Sequence, residues 1–285
     1  MKYSILVNTC DNFEDCWNPF FTLFKRYWSD YAGTIFLNTE YKTYEYSGLT
    51  IVPIQGCLKN KYPRTKRATW SQCLKWALES INTDIILYLQ EDYFIKGGVK
   101  NDIVEMYVNL MLDNPDIKCI HLTDQSVLSS TKSEFKQLDD VKVFQEFRVS
   151  CQAALWRKQE LMEILRTRES AWDFEHFGSK RSSYIGHRYL VVDKTWVKLN
   201  VFEIIPYIFT GIVKGRWIRE AKTLFDANDI ELDFSIRGFV DEPKEKRKTL
   251  KTIFNNRYNM YLMPILNWID LMKIRLKYNK KAENE

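Results

Sequence analysis

Apolar residues fall into short runs separated by longer segments with helical spacing. Tyr3 to Val7 is a compact apolar run, followed by the polar loop Asn8-Thr9-Cys10-Asp11-Asn12 and an aromatic, helical stretch from Phe13 to Trp28. Thr34 to Leu37 and Gly48 to Ile54 predict two further strands, the second closed by Pro53. Trp70, Leu74, Ala77, Leu78 and Ile81 recur at helical spacing with Gln72, Lys75 and Glu79 opposite, predicting an amphipathic helix. Asp84 to Phe94 then starts as an uninterrupted apolar run, the pattern of a parallel strand covered on both faces, and ends in the adjacent carboxylates Glu91 and Asp92. Val99 to Leu112 predicts a helix stopped by Asn114-Pro115-Asp116, and Ile117 to Leu122 another strand. Ser126 to Asp140 is polar and reads as a loop. Val141 to Arg148 and Cys151 to Trp156 read as strands, and Arg157 to Arg168 as a helix. This alternation predicts an α/β fold with a mostly parallel sheet and helices on both faces.

Composition changes the picture in three places. At 285 residues, 45% hydrophobic and 28% charged, the chain is globular, while 15% aromatic residues point to stacking or interfacial surfaces. The six cysteines have no CxxC spacing and the three histidines are scattered, which predicts free thiols and excludes a zinc motif. The amino terminus lacks the apolar segment and cleavage site of a secretion signal, so a cytoplasmic, reducing location is expected. No apolar run is long enough to span a bilayer. The net charge of +5 is uneven: eleven Lys/Arg against four acids after Pro243 give that tail +7 and leave the preceding residues at −2. A near-neutral body with a basic tail predicts a localised anionic partner and no nucleic-acid-binding domain.

Two stretches carry chemistry. Glu91, Asp92 and Tyr93 follow a strand, where α/β folds bind ligands. Paired hard oxygens there suit Mg²⁺ or Mn²⁺ holding a diphosphate, because these ions keep waters and take one or two protein carboxylates. The plainer reading is a polar strand-ending turn. The second stretch is Ser170-Ala171-Trp172-Asp173-Phe174-Glu175, in which Ser170 and Asp173 fit a capping box opening a short helix. Asp173 and Glu175 then point about 200° apart, so Glu175 can face a cleft as a general base, its pKa raised against aromatic rings. Arg64, Lys66 and Arg67, just before Trp70, either reach a diphosphate or base or form a solvated loop. Asp124 either touches a bound ligand or caps a turn.

At these residues the chain resembles nucleotide-sugar glycosyltransferases of the GT-A fold, close to the family-2 type of bacterial polysaccharide pathways. The Asn8-Thr9-Cys10-Asp11 loop resembles the family's nucleotide-base loop, Leu89-Gln90-Glu91-Asp92-Tyr93 its Asp-X-Asp metal site, and Cys151 to Arg157 with Trp172-Asp173-Phe174-Glu175 its acceptor strand and catalytic acid motif. The resemblance spans residues 1 to 215 and departs at Gln90, where a strict motif needs Asp. It implies a hexosyl- or N-acetylhexosaminyl-type transferase using a UDP-sugar, with inversion. Glu175 and Asp173 are its catalytic candidates. Thr9, Asp11, Arg67, Trp70, Glu91, Asp92 and Tyr93 are its donor contacts, and Asp92, Glu91 and His187 its Mn²⁺ or Mg²⁺ ligands. The acceptor it implies is a glycan or lipid-linked saccharide. Nucleotidyl transfer, phosphoester hydrolysis and non-catalytic carbohydrate binding use the same residue types and stay open.

Two units are expected: a GT-A domain over 1–215 and a basic, amphipathic helical extension over 216–285. Glu242 to Lys251 reads as a charged linker. Tyr258, Tyr261, Leu262, Ile265, Leu266, Ile269 and Met272 then recur at helical spacing, interrupted by Pro264 and flanked by Lys and Arg. Such a helix either lies on anionic lipid at the inner face of the membrane or docks on the body or on a second subunit in a homodimer.

Overall fold

A computed structural model describes residues 2–242 and 250–282, with the side chains of 250–261 and 279–282 outside the description. The expected charged linker lies mostly outside the described residues. A nine-stranded sheet organises the chain: β1 (Tyr3–Asn8), β2 (Thr34–Asn38), β3 (Thr50–Pro53), β4 (Ile85–Gln90), β5 (Ile117–His121), β6 (Ser130–Lys132), β7 (Leu138–Val141), β8 (Ala154–Arg157) and β9 (Arg188–Val192), in the order β3-β2-β1-β4-β8-β5-β9-β7-β6. The strands β3, β2, β1 and β4 are parallel, as are β5 and β9. Only β8, which runs against both β4 and β5, and β7, which runs against both β9 and β6, oppose the direction of the other seven strands, so the sheet is mostly parallel as expected. All six residues of β1 and the first five of β4 are buried. Since successive side chains point to opposite faces, both faces of the sheet centre are covered.

The connecting helices are α1 (Trp17–Tyr27), α2 (Gly56–Lys59), α3 (Trp70–Ser80), α4 (Asn101–Asp113), α5 (Lys158–Ile164), α6 (Ala171–Asp173), α7 (Ser179–Ile185), α8 (Arg219–Asp226) and α9 (Leu250–Ala282). A π turn, Phe174–Gly178, joins α6 to α7. The side chain of Thr69 caps α3 by accepting the Gln72 N–H, which fixes the start that the apolar spacing predicted. All six cysteines are free thiols.

The structure departs from expectation in four segments. Ser126–Asp140 contains the hairpin strand β6 and most of β7, whose polar residues at the sheet edge carry no apolar alternation. Val141–Arg148 is a turn for most of its length, because Phe144 and Phe147 adopt positive φ and the chain wraps the buried Arg148, which donates to Val141 O at 2.9 Å and Lys142 O at 3.3 Å. The boundary at 215/216 falls inside a ribbon, β10 (Ile212–Val213) paired with β11 (Arg216–Trp217). Trp217 beyond it is fully buried against Phe94 and Phe225, so 216–242 belongs to the main core. Finally, α9 continues through Pro264, whose ring is exposed, while Met263, Asn267 and Ile274 hold the helix to the body.

That docking is keyed by charge. The buried Arg181 on α7 donates to both oxygens of buried Glu169 (2.8 and 2.5 Å), to Asn267 Oδ1 on α9 (2.8 Å) and to Ile164 O (2.7 Å). Lys277 and Tyr278 bind Glu163 at 2.8 and 2.6 Å. A buried guanidinium this fully paired is costly to disturb, since losing one partner leaves charge uncompensated. One face of α9 thus packs on the body.

Candidate active site

The carboxyl ends of β1, β2 and β4 meet in a polar ladder. Asn38 donates to Asn8 Oδ1 (2.7 Å) and Asn8 donates to the Tyr88 hydroxyl (3.1 Å), which in turn reaches the Cys151 thiol. In the loop after β1, Thr9 Oγ1 accepts from Trp17 Nε1 at 2.9 Å. Asp11 accepts from the backbone N–H of Glu40 (2.9 Å), Tyr41 (2.9 Å) and Lys42 (3.2 Å), tying this loop to the one after β2. Both side chains thus hold the shape of the strand-end loop.

Glu91 and Asp92 follow β4 directly and both are buried. Asp92 Oδ2 accepts from Thr210 Oγ1 at 2.5 Å and from Ile212 N–H at 3.3 Å, while Gly211 N–H donates to Asp92 O at 2.9 Å. A Cβ on Gly211 would lie 2.3 Å from the Phe94 ring, so only glycine lets the 210–212 loop close on this turn. Burial pushes the Asp92 carboxyl up against the opposing Thr210 and Ile212 hydrogen bonds. Burial first, then the charge of Asp92, push Glu91 well above the usual carboxylate range. Arg237, which opposes that rise, is committed to Asp15 at 2.6 Å. Among the described residues no cation pairs with either carboxyl, so burial disfavours their charged forms, and their hard oxygens fit a divalent ion that would offset this cost. Tyr93, next in line, stacks on Tyr207 with ring centroids 4.9 Å apart and donates its hydroxyl to Cys151 O at 2.9 Å.

Glu175 approaches the same residue, Cys151, from its N–H side. Ser170 and Asp173 form a reciprocal capping box: the Asp173 N–H donates to Ser170 Oγ at 3.2 Å, and the Ser170 N–H donates to Asp173 Oδ2 at 3.1 Å. The π turn that follows buries Phe174 against Trp70 (centroids 5.5 Å apart) and swings Glu175 inward. Single π turns often sit at functional sites. Glu175 Oε1 accepts the Cys151 N–H at 2.7 Å. Burial raises its pKa, opposed by hydrogen bonds from Cys151 and Ser150. Glu175 also lines a cavity of about 660 Å³ with Phe144, Phe147, Trp172, Tyr184 and Leu271.

The remaining sequence-predicted residues are dispersed. His187 precedes β9, whose first residue pairs with Ile117 at the start of β5, the edge where β4 also begins. Glu91 follows the far end of that six-residue strand, so His187 lies roughly 17–20 Å away along the strand direction and cannot ligate the same ion. It contacts Glu160 instead, Nδ1 to Oε2 at 2.6 Å, in a cluster with Glu163. Arg67 is exposed and acts electrostatically on Cys10, whereas Arg64 sits over the Tyr41 ring at 4.1 Å. Asp124 accepts the Leu199 N–H at 3.2 Å. Sequence reasoning missed Cys151 as the bridge, the Thr210–Ile212 cradle and Arg237. Of these only Gly211 left a trace, as a glycine outside any regular element.

No family model matches the chain, and no curated protein matches it. Among solved structures, the chain is similar to S. aureus TarS residues 1–349, at 13% identity over 73% of this chain and 59% of that one, with a TM-score of 0.47. It is also similar to the M. tuberculosis glucosyl-3-phosphoglycerate synthase in complex with phosphoglyceric acid, at 11% identity over 63% and 64%, TM-score 0.41. A third is a Drosophila β1,4-galactosyltransferase 7 mutant in complex with manganese, UDP-Gal and xylobiose, at 13% identity over 73% and 69%, TM-score 0.38. The chain thus spans about three fifths of the TarS fragment.

Proposed function

We propose that this protein transfers a hexosyl- or N-acetylhexosaminyl-type sugar from a UDP-sugar to a hydroxyl of a glycan or lipid-linked saccharide, in polysaccharide biosynthesis and with inversion. The observation that carries this reading is the placement of two acidic segments around one residue, Cys151. Tyr93, beside the paired acids Glu91 and Asp92, donates to the Cys151 carbonyl, and the carboxylate of Glu175 accepts the N–H of the same residue.

In this reading Glu91 and Asp92 hold Mn²⁺ or Mg²⁺. When bound, the ion neutralises charge on the diphosphate leaving group. The Thr9–Asp11 loop, Arg67 and Tyr93 border the donor site, with Trp70 supporting it through Phe174. Glu175 takes the proton from the acceptor hydroxyl, and its raised pKa makes it a stronger base than an ordinary carboxylate. Asp173, bound into the cap, positions the turn and takes no part in proton transfer. A carboxylate whose second partner is a backbone N–H is fixed in orientation, which removes reorganisation from the proton-transfer step.

Product analysis of UDP-sugars incubated with Mn²⁺ separates the classes. Slow release of free sugar and UDP supports transfer. UMP or inorganic phosphate would assign the acids to nucleotidyl transfer or phosphoester hydrolysis, and binding without turnover to a carbohydrate-binding protein.

A further inference from the structure

Helix α9 is docked by one face only. At about 100° per residue, Met263, Asn267 and Ile274 share the side buried against the body. Leu262, Ile265, Trp268, Ile269, Met272 and Leu276 share the opposite side, and all are exposed, Trp268 to 61%. A continuous stripe of this kind goes beyond the scattered single apolar residues of an ordinary surface and marks an interaction site. Exposed Lys273 stands at one margin of the stripe and exposed Arg275 at the other. No helix among the described residues is long and apolar enough to cross a membrane.

We propose that this face of α9 lies in the plane of an anionic lipid surface, with the stripe at the acyl boundary and Lys273 and Arg275 at headgroup phosphates. An amphipathic helix with cations at the edges of its apolar face has the distribution that interfacial helices use. Pairing of two copies through the same stripe would instead bring the Lys273 and Arg275 margins of both together, and like charges across an interface oppose association. The sequence after Pro243, at net +7 against −2 for the rest, adds attraction of the same sign. Leu271 stands between the docked side and the stripe and lines the cavity that holds Glu175, so a chain resting on lipid keeps that cavity beside the surface.

Vesicle flotation reads this contact without reference to the reaction proposed above. The full chain should float with phosphatidylcholine vesicles containing phosphatidylglycerol, and at least tenfold less with phosphatidylcholine alone. High salt should reduce binding to the anionic vesicles, since screening weakens surface attraction. Ile269→Glu with Met272→Glu should lose at least tenfold in binding while keeping the melting temperature. Lys273→Gln with Arg275→Gln should weaken binding to the anionic vesicles and reduce its salt dependence. Wild-type protein that stays unbound with anionic vesicles would overturn the assignment, and so would equal flotation of the Ile269→Glu/Met272→Glu variant. A wild-type dimer in light scattering that this variant converts to monomer would give the stripe to a second copy instead.

Discussion

The Glu175 carboxylate accepts the backbone N–H of Cys151 at 2.7 Å, and the carbonyl of Cys151 accepts the Tyr93 hydroxyl at 2.9 Å. One residue, Cys151, thereby bridges the acidic end of β4 and the π turn carrying the proposed base.

Burial holds the Glu175 pKa above the ordinary carboxylate value. A base must be ionised to work, so kcat/KM should rise with pH through this raised pKa, placing the acid limb above the usual carboxylate range. A limb at the ordinary carboxylate value, near 4.3, would mean that some other, solvated group is titrating.

Glu91 titrates in the opposite sense for stability. Its folded-state pKa is raised, so its contribution is fully present below the unfolded pKa and is lost as pH rises through the folded one. At neutral pH in chelator, Glu91→Gln should therefore raise the melting temperature, on a scale of about 2–4 °C per kcal/mol for domains of this order of size. Adding Mn²⁺ should stabilise the wild type and leave the variant nearly unchanged. Scanning calorimetry checks both. Destabilisation in chelator would show that the carboxyl is satisfied without an ion.

The Ser170–Asp173 box gives a separable effect. Asp173→Asn should cost about 1 kcal/mol of stability, as a weakened cap does, while transfer rate changes little. Urea denaturation beside a rate assay distinguishes this from a catalytic role, which would reverse the pattern.

How much of this was legible beforehand follows from what each element buries. The central strands and α3 were readable because their apolar residues face a continuous core, and the capping box because Ser170 and Asp173 are local in sequence. The β6–β7 hairpin was illegible, since edge pairing needs no apolar period. His187 was misplaced because a histidine's neighbours in sequence do not tell which end of the sheet a strand enters. The Cys151 bridge and the Thr210–Ile212 cradle join residues far apart along the chain, in large part through backbone atoms that side-chain identity does not encode.

Gly211 tests that cradle. Gly211→Ala would place a Cβ at 2.3 Å from Phe94, an overpacking that typically costs about 1–3 kcal/mol. The shift should move Thr210 off Asp92 and lower Mn²⁺-dependent affinity for UDP. Unchanged Mn²⁺-linked affinity by calorimetry would separate the cradle from metal binding.

The division of labour between the two ends of the Cys151 bridge is tested most directly by Glu175→Gln, with transfer rate and UDP affinity measured on the same preparation. The variant should lose transfer by about 10²-fold or more, the contribution typical of a positioned general base, while binding UDP with Mn²⁺ as the wild type does. Full transfer activity in Glu175→Gln, or a loss of UDP binding that accounts for the whole decrease in rate, would contradict its role as the base.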